Sequence, residues 1–258
     1  MSVVARTENL TRVLSGEVPV TLVENIDLEI RKGEFVAIMG PSGSGKSSLL
    51  YLLGLLDMPT SGKVWIDGVD TAGLDEDRLA SLRLKKLGFV FQFHFLLAEF
   101  SALDNVCLPM RRLGRLSEEE IAAKGLRLLD SFGLKKHAGK RPSQMSGGER
   151  QRVAVARALA NDPIIILADE PTGSLDTKAS ANLRGIFQDL ARSENRTIIV
   201  VTHDPVFAQA ADQRMYIVDG HLTAGEGRRT HRDRRPPISF ATYGRPRVEV
   251  LELRCVTL

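Results

Sequence analysis

The segment 40–47, GPSGSGKS, constrains this chain more than any other, because it fits the phosphate-binding loop pattern G-x-x-x-x-G-K-[ST]. An apolar, β-prone run at 34–39 precedes it, and the sequence of 48–53 predicts a helix after it. The loop requires this strand–loop–helix order. Its glycines let backbone N–H groups converge on phosphate oxygens, and the helix dipole favours the same anion. The segment therefore predicts an α/β fold in which a buried strand delivers a phosphate-binding loop.

The loop supplies candidate ligands for a nucleotide and its metal. We expect Lys46 to reach the β- and γ-phosphates as a point charge, and the Ser47 hydroxyl to ligate Mg²⁺. The alternative is a Gly/Ser-rich surface loop before an ordinary helix, which fits less well because both strand and helix are in place. The predicted nucleotide-binding residues are Gly40, Pro41, Ser42, Gly43, Ser44, Gly45, Lys46, Ser47 and Ser48.

Composition serves mainly to exclude classes of protein. A net charge of +3 is too small to indicate a nucleic-acid partner, and two cysteines are too few for a disulfide framework. No apolar run approaches the length of a membrane span, and no apolar leader is present near the N-terminus. We therefore expect a cytoplasmic protein that acts at a membrane only through a partner. Clustered arginines predict that 223–258 is a flexible basic tail, separate from a domain at 1–222.

The spacing of apolar residues divides that domain. Residues 1–39 alternate short β-like pieces with turns, which predicts an N-terminal antiparallel β subdomain. From about 96 to 160 the period is helical and includes a capping box at 117–120, which predicts an inserted α-helical subdomain. Buried-type strands at 164–168 and 197–201 flank a predicted helix, an arrangement typical of a parallel sheet with a right-handed crossover.

Polar residues follow the predicted strands of this sheet. Asp169 and Glu170 end the strand at 164–168, at the edge where ligands bind in open parallel sheets. We expect Asp169 to hold Mg²⁺ and Glu170 to polarise the attacking water, although a solvated acidic turn would have the same sequence. His203 reaches the same edge, where its placement favours a γ-phosphate sensor over a core histidine. Gln92 closes a short β-like run, and its amide could reach the metal or the water.

A second helix start also has the chemistry of a phosphate site. Ser146 can cap the helix that follows it, while Gly147 and Gly148 leave the first N–H groups uncovered. One nucleotide's phosphates are already held by the first loop. We therefore infer that this terminus serves a nucleotide held by another subunit; an ordinary capped helix is the alternative.

Together these motifs resemble the ATP-binding cassette family, in the order that the family has them, across residues 1–222. The resemblance implies a RecA-like P-loop nucleoside triphosphatase core that hydrolyses ATP with Mg²⁺. It implies a head-to-tail homodimer with each ATP between one chain's Walker A motif and the other's signature. It also implies integral membrane permease subunits, with the cassette at the cytoplasmic face of the inner membrane. The motifs are Walker A (40–47), the Q-loop (Gln92), the signature (Ser146, Gly147, Gly148, Glu149, Gln151), Walker B (164–170), the D-loop (Ser174, Leu175, Asp176) and the H-loop (His203), with Ser47, Gln92 and Asp169 as metal ligands.

Within the family, the segments 91–97, 100–106, 141–143 and 168–173 are similar to the ATPases that power lipoprotein release. The same branch contains macrolide and antimicrobial-peptide exporters and a cell-division ATPase, which remain alternatives. A cassette acting on DNA or in translation fits less well, because the chain has no heptads, no cysteine clusters and one cassette. One departure concerns Leu14, which stands where the family usually has an aromatic residue that stacks on adenine.

The segment 93–100 is the predicted dock for the membrane partner. It follows Gln92 directly and carries more apolar surface than loops normally expose to water. We expect about half of its large side chains to pack between the sheet and the helical subdomain, and the rest to line a groove for a short permease helix. These side chains are Phe93, Phe95, Leu96, Leu97 and Phe100.

Overall fold

A computed structural model describes residues 2–224, with strands and helices in two sheets and a helical layer. Two short 3₁₀ turns, Lys135–His137 and Pro142–Gln144, connect the fourth and fifth helices. The elements in chain order are β1 (Val3–Leu14), β2 (Val20–Arg31), β3 (Phe35–Met39), α1 (Lys46–Leu53), β4 (Ser61–Ile66), β5 (Val69–Asp70), α2 (Glu76–Lys86), β6 (Leu87–Phe91), α3 (Ala102–Leu113), α4 (Glu118–Ser131), α5 (Gly147–Ala158), β7 (Ile165–Asp169), α6 (Thr177–Arg192), β8 (Thr197–Val201), α7 (Pro205–Ala208), β9 (Gln213–Val218) and β10 (His221–Ala224).

The central sheet has the strand order β10-β9-β3-β8-β7-β6. All neighbouring pairs are parallel except β10 and β9, which form an antiparallel hairpin at one edge. Every residue of β7 and β8 is buried, as expected for apolar strands covered by helices on both faces. The predicted parallel sheet with its β7–α6–β8 crossover is confirmed. Its topology brings the carboxyl ends of β3, β7 and β8 to one edge.

The second sheet, in the order β2-β1-β4-β5, is antiparallel, as predicted. The prediction of short pieces separated by turns was wrong, because β1 and β2 are each a single strand of 12 residues. Asn9 and Asn25 have φ values of 45° and 49°, and the pairing register shifts between Thr7 and Leu10. These irregularities are bulges, which bend a strand without ending it. Polar residues that look like turns in the sequence therefore lie inside continuous strands.

The helical layer contains α3, α4 and α5. Ser117 caps α4 through the predicted capping box, in which Ser117 and Glu120 exchange hydrogen bonds between side chain and backbone. Gly125 lets α4 approach α3 closely, since a Cβ there would lie 2.8 Å from the Cys107 sulfur. The layer therefore packs as one unit beside the central sheet.

Five elements were not predicted, namely β5, α2, α7, β9 and β10. Helix α2 is capped by Asp75 but buries little apolar surface, so its sequence has a weak helical period. The hairpin of β9 and β10 was also missed. Residues 223 and 224 of the predicted basic tail belong to β10, and the rest of the tail lies outside the residues that the structure describes.

Candidate functional site

The phosphate-binding loop connects β3 to α1, and two of its glycines are required by its geometry. Gly45 has a φ of 99°, and a Cβ there would lie 2.1 Å from the carbonyl oxygen of Leu22. Gly40 has a φ of 149°, and a Cβ there would lie 2.1 Å from the carbonyl oxygen of Ile217. Any side chain at either position would clash with backbone, so the tight wrap of this loop depends on glycine.

Two side chains of the loop are buried in a way that suits an anion. Lys46 is 8% exposed, and its Nζ donates a hydrogen bond to the carbonyl oxygen of Pro41 at 2.7 Å. The Ser44 hydroxyl is buried and has no hydrogen-bond partner within residues 2–224. Because buried polar groups normally find a partner, an orphaned hydroxyl beside a lysine and the start of a helix fits a phosphate-binding cradle.

Asp169, at the end of β7, is held by two side chains of α1. The Ser47 hydroxyl donates to its Oδ1 at 3.0 Å, and the Tyr51 hydroxyl donates to its Oδ2 at 3.0 Å. Burial raises the pKa of Asp169, and these two hydrogen bonds act against that rise. Burial and the adjacent carboxylate raise the pKa of Tyr51, so the phenol stays protonated and can donate. Ser47 and Asp169 together present the oxygen ligands that Mg²⁺ prefers.

Glu170 and His203 meet at the same edge of the sheet. The His203 backbone N–H donates to Glu170 Oε1 at 3.1 Å, and His203 Nδ1 lies 2.9 Å from the same oxygen. The Glu170 side chain is 17% exposed, whereas that of His203 is 74% exposed. Glu170 adopts a φ of 44°, a left-handed conformation that carries strain and often occurs at functional sites. The carboxylate is thus fixed in place while the imidazole faces solvent.

Gln92 lies just after β6 and contacts the loop that follows Glu170. The Ser174 hydroxyl donates to the Gln92 carbonyl oxygen at 3.2 Å, and a Cβ at Gly173 would lie 2.7 Å from Gln92 Nε2. Asp176 caps α6 by accepting from the Ala179 N–H at 2.8 Å. Leu175 packs against the core. The residues predicted as the Q-loop and D-loop are therefore joined to each other.

The helix start at Ser146 is as the sequence predicts, with an exposed serine cap. Ser146 and Glu149 form a capping box, and its hydrogen bonds are the main cause that lowers the pKa of Glu149. Gly148 packs against α6, where a Cβ would lie 3.1 Å from Ala179 Cβ. Within residues 2–224, the other hydrogen bonds and ion pairs of 146–151 go to neighbouring helices and loops and not to the phosphate-binding loop.

The position of Gln151 differs from the one that the sequence predicts. Its side chain is fully buried, and its Nε2 donates to the carbonyl oxygen of Phe91 at 3.2 Å. The helix has turned this position towards the core, so Gln151 supports the start of the Q-loop and cannot face a nucleotide of another subunit.

Comparison with known proteins identifies the family. The family model described as ABC transporter matches residues 23–173. This chain belongs to the ABC transporter family. It carries that family's ATP-binding cassette, and the cassette is an ATPase domain. The first sheet, the central sheet and the helical layer are the parts of the cassette fold.

Relatives of the cassette carry one recurring name. This chain is 49% identical over 217 residues to "Lipoprotein-releasing system ATP-binding protein LolD 1" of Chlorobium chlorochromatii, and the match covers 84% of this chain and 88% of the relative. It is 44% identical over 222 residues to "Lipoprotein-releasing system ATP-binding protein LolD" of Aquifex aeolicus, covering 86% and 97%. A solved structure entitled as a dimeric post-hydrolysis state of the ATP-binding cassette MJ0796 bound to ADP and Pi has a TM-score of 0.82. It is 42% identical, and the match covers 88% of this chain and 99% of that one.

Leu14 is 42% exposed and pairs with Val20 at the end of the β1–β2 hairpin. Among residues 2–224, no helix combines the length and apolarity needed to span a bilayer.

The cassette exposes most of the predicted docking segment. Phe93, Phe95, Leu97 and Phe100 are 65%, 64%, 44% and 38% exposed, and Leu96 packs against the core. The expectation that about half would be packed away was therefore wrong. The segment is a loop without helix or strand after β6, so no regular element turns one of its faces into the core.

Despite its exposed side chains, the segment is held firmly by the helical layer. Asn105, fully buried on α3, accepts from the Leu97 N–H at 2.8 Å and donates to the Leu97, Phe100 and Ser101 carbonyl oxygens at 3.1, 3.3 and 2.9 Å. On α5, Arg157 donates to the carbonyl oxygens of Phe95 at 2.7 Å and His94 at 2.8 Å. The loop is thus an ordered surface.

The segment 93–100 also contacts the start of α5. His94 Nε2 lies 3.1 Å from the Gly147 carbonyl oxygen, so that nitrogen carries the proton. Burial lowers the pKa of His94 and favours the neutral ring. Because Arg157 holds the loop near the other end of α5, the loop contacts both ends of this helix.

Sequence reasoning missed Asn105 and Arg157, since only the packing of the helical layer reveals their partners. It also missed Tyr51, although its position four residues after Ser47 places both on one helix face.

Proposed function

We propose that this chain is the ATP-hydrolysing subunit of a transporter that releases lipoproteins from the inner membrane. In this proposal it works as a homodimer at the cytoplasmic face of that membrane, bound peripherally to separate permease subunits. The observation that carries the hydrolytic part is the arrangement at one sheet edge, where Ser47 pairs with Asp169 and His203 pairs with Glu170. The lipoprotein cargo is supported by relatives of 44–49% identity that bear the name of the lipoprotein-releasing system.

The residues at this edge fit a nucleotide with Mg²⁺. Ser47 and Asp169 would hold the metal, assisted by the Gln92 amide, and Lys46 would meet the β- and γ-phosphates. Mg²⁺, when bound, neutralises charge on the phosphate oxygens. The described residues contain no cluster of three or more His, Cys, Asp or Glu side chains suited to a metal. One serine hydroxyl and one carboxylate, as at Ser47 and Asp169, suit an ion held largely by phosphates and water, as is usual for Mg²⁺ in nucleotide sites.

Glu170 is the general base in this proposal. The backbone N–H and Nδ1 of His203 hold its carboxylate, so one oxygen is fixed and the group can take a proton from water at the γ-phosphate. His203 is exposed enough to contact the γ-phosphate as well. His203 would therefore both orient Glu170 and sense the γ-phosphate, and the second role is the one that the sequence suggested.

The signature would act on the nucleotide of the other subunit. Ser146 is exposed at the start of α5, and the partly exposed Gly147 and Gly148 after it would offer backbone N–H groups at the positive end of the helix dipole. A solved cassette that is 42% identical is described as a dimer, which supports the same assembly for this chain. Glu149 would set the helix start through its capping box.

The permease would bind beside the segment 93–100. A groove of about 870 Å³ lies between α2, β6, α3 and α5, and its lining includes Phe89, Phe91 and Leu113. Phe93 and Phe95, whose side chains are exposed, come shortly after the lining residue Phe91 in the chain. The lining also includes the basic residues Arg83, Arg112 and Arg157. A groove with both apolar and basic lining and an ordered aromatic rim suits a short amphipathic helix of a membrane subunit.

The decisive experiment replaces the base. Glu170→Gln should cut hydrolysis by about 10²–10⁴, the usual contribution of a general base, while leaving ATP binding intact. Dimers formed with ATP and Mg²⁺ should become long-lived in sedimentation, because hydrolysis is what separates the subunits. Lys46→Ala is the control, since it should weaken nucleotide binding itself. A Glu170→Gln chain that stays monomeric at saturating ATP would contradict the shared site.

The cargo needs its own test. The chain should be purified with its membrane subunits from detergent and reconstituted into proteoliposomes that contain a lipoprotein. ATP should then release the lipoprotein to a soluble acceptor. ATP-dependent efflux of a macrolide without lipoprotein release would instead favour the exporter alternative.

A further inference from the structure

Helix α1 places two hydroxyl donors against one carboxylate. Ser47 and Tyr51 are four residues apart, so their side chains lie on the same face of the helix in successive turns. The Ser47 hydroxyl donates to Asp169 Oδ1 and the Tyr51 hydroxyl to Asp169 Oδ2, both at 3.0 Å. Each oxygen of the carboxylate therefore has its own donor.

This double contact matters because Asp169 has little access to water. It is 9% exposed, and an unpaired carboxylate oxygen in such a place is costly. The torsion that turns a carboxylate about its Cβ–Cγ bond has broad minima, so a single hydrogen bond leaves the group free to swing. A second donor on the other oxygen fixes the plane of the carboxylate.

Tyr51 is itself on a rigid support. Its ring packs against the core cluster that contains Leu49 and Leu50, and its backbone carbonyl oxygen accepts from the Leu56 N–H at 2.9 Å. The hydroxyl is therefore delivered by a helix and not by a mobile loop. A supporting hydrogen bond of this kind is pre-organised before any ligand binds.

We propose that Tyr51 is a positioning residue for Mg²⁺, which fixes the Asp169 carboxylate so that Oδ1 and the Ser47 hydroxyl face the metal together. This inference rests on the proposed function, which assigns Ser47 and Asp169 to the metal. Tyr51 acts through Asp169. Hydrogen bonds that orient metal ligands in this way typically affect metal affinity by 10–100-fold.

The test uses the full chain with Tyr51→Phe, which removes the hydroxyl and keeps the ring. Binding of a fluorescent ADP analogue is titrated with Mg²⁺, and binding of Mn²⁺ in the presence of ADP is followed by electron paramagnetic resonance. We expect about tenfold more metal to be needed in both titrations. Nucleotide affinity in EDTA should change by less than about twofold, since the phosphate loop is untouched. Tyr216→Phe, on β9 with a 39% exposed side chain, is the matched control and should behave as wild type.

Asp169→Asn, measured in the same titrations, separates the two levels of the argument. If it leaves the metal dependence unchanged, the assignment of Asp169 in the proposed function is wrong. If it abolishes the metal dependence while Tyr51→Phe matches wild type, the inference about Tyr51 alone is overturned. A Tyr51→Phe chain that loses nucleotide affinity equally with and without metal would also overturn it, because the hydroxyl would then only support the fold. In an Asp169→Asn background, Tyr51→Phe should have no further effect on metal binding.

Discussion

Asn105→Ala tests whether the docking segment is an ordered surface. The wild-type amide makes four hydrogen bonds to the backbone of residues 97–101, and the longest, at 3.3 Å to Phe100, is weak. At a net value of about 0.5–1.5 kcal/mol each, the remaining three contribute about 1.5–4.5 kcal/mol. The free energy of unfolding should fall by that amount, which corresponds to a melting temperature lower by roughly 5–15 °C for a domain of this size.

The assay is urea unfolding combined with amide hydrogen exchange. The Leu97 N–H donates to Asn105 Oδ1, so its exchange should accelerate in Asn105→Ala. Asn161→Ala is the matched control, because Asn161 donates two hydrogen bonds, to Leu84 and Pro109, away from the segment. It should cost less stability and leave Leu97 exchange unchanged. A stability loss below about 1 kcal/mol in Asn105→Ala, with normal Leu97 exchange, would refute the reasoning.

Two further predictions concern docking and acid stability. Replacing Phe95 and Leu97 together by Ala should lower recovery of the chain with its membrane subunit but leave basal ATPase activity unchanged; lost activity with normal partner binding would contradict it. The Ser101 hydroxyl, with help from Arg111, lowers the pKa of Asp104. The ionised Asp104 carboxylate therefore gives its full stabilisation at pH values above its unfolded-state pKa of about 4. That stabilisation is lost as the pH falls through the lower folded-state pKa. The stability gap between wild type and Asp104→Asn should shrink in that range, and a pH-independent gap would disprove the assignment.

Features that depend on local sequence were predictable. Strand β8 has the bounds that its apolar run indicates, and the predicted capping box at the start of α4 is present. The edge that gathers Asp169, Glu170 and His203 also follows from sequence, because the carboxyl ends of parallel strands meet at one edge.

Features that depend on distant packing were not predictable. The contact between Tyr51 and Asp169 joins residues 118 positions apart. The burial of Gln151 depends on the carbonyl of Phe91, which is 60 positions away. The continuity of β1 and β2 depends on cross-strand pairing that absorbs bulges at Asn9 and Asn25, where the local sequence favours turns.

The central claim is that each ATP site is completed by the signature of the other subunit, and mixing two inactive variants tests it most directly. Ser146→Arg should bind ATP through its own phosphate loop yet fail to hydrolyse it, and Lys46→Ala should fail to bind. A mixed dimer contains one site free of both substitutions, so adding excess Lys46→Ala chains to Ser146→Arg chains should restore part of the ATPase activity. The activity is measured together with ATP occupancy of the mixed dimers. Recovery is the predicted result; no recovery from heterodimers shown to hold ATP would contradict a site shared between subunits.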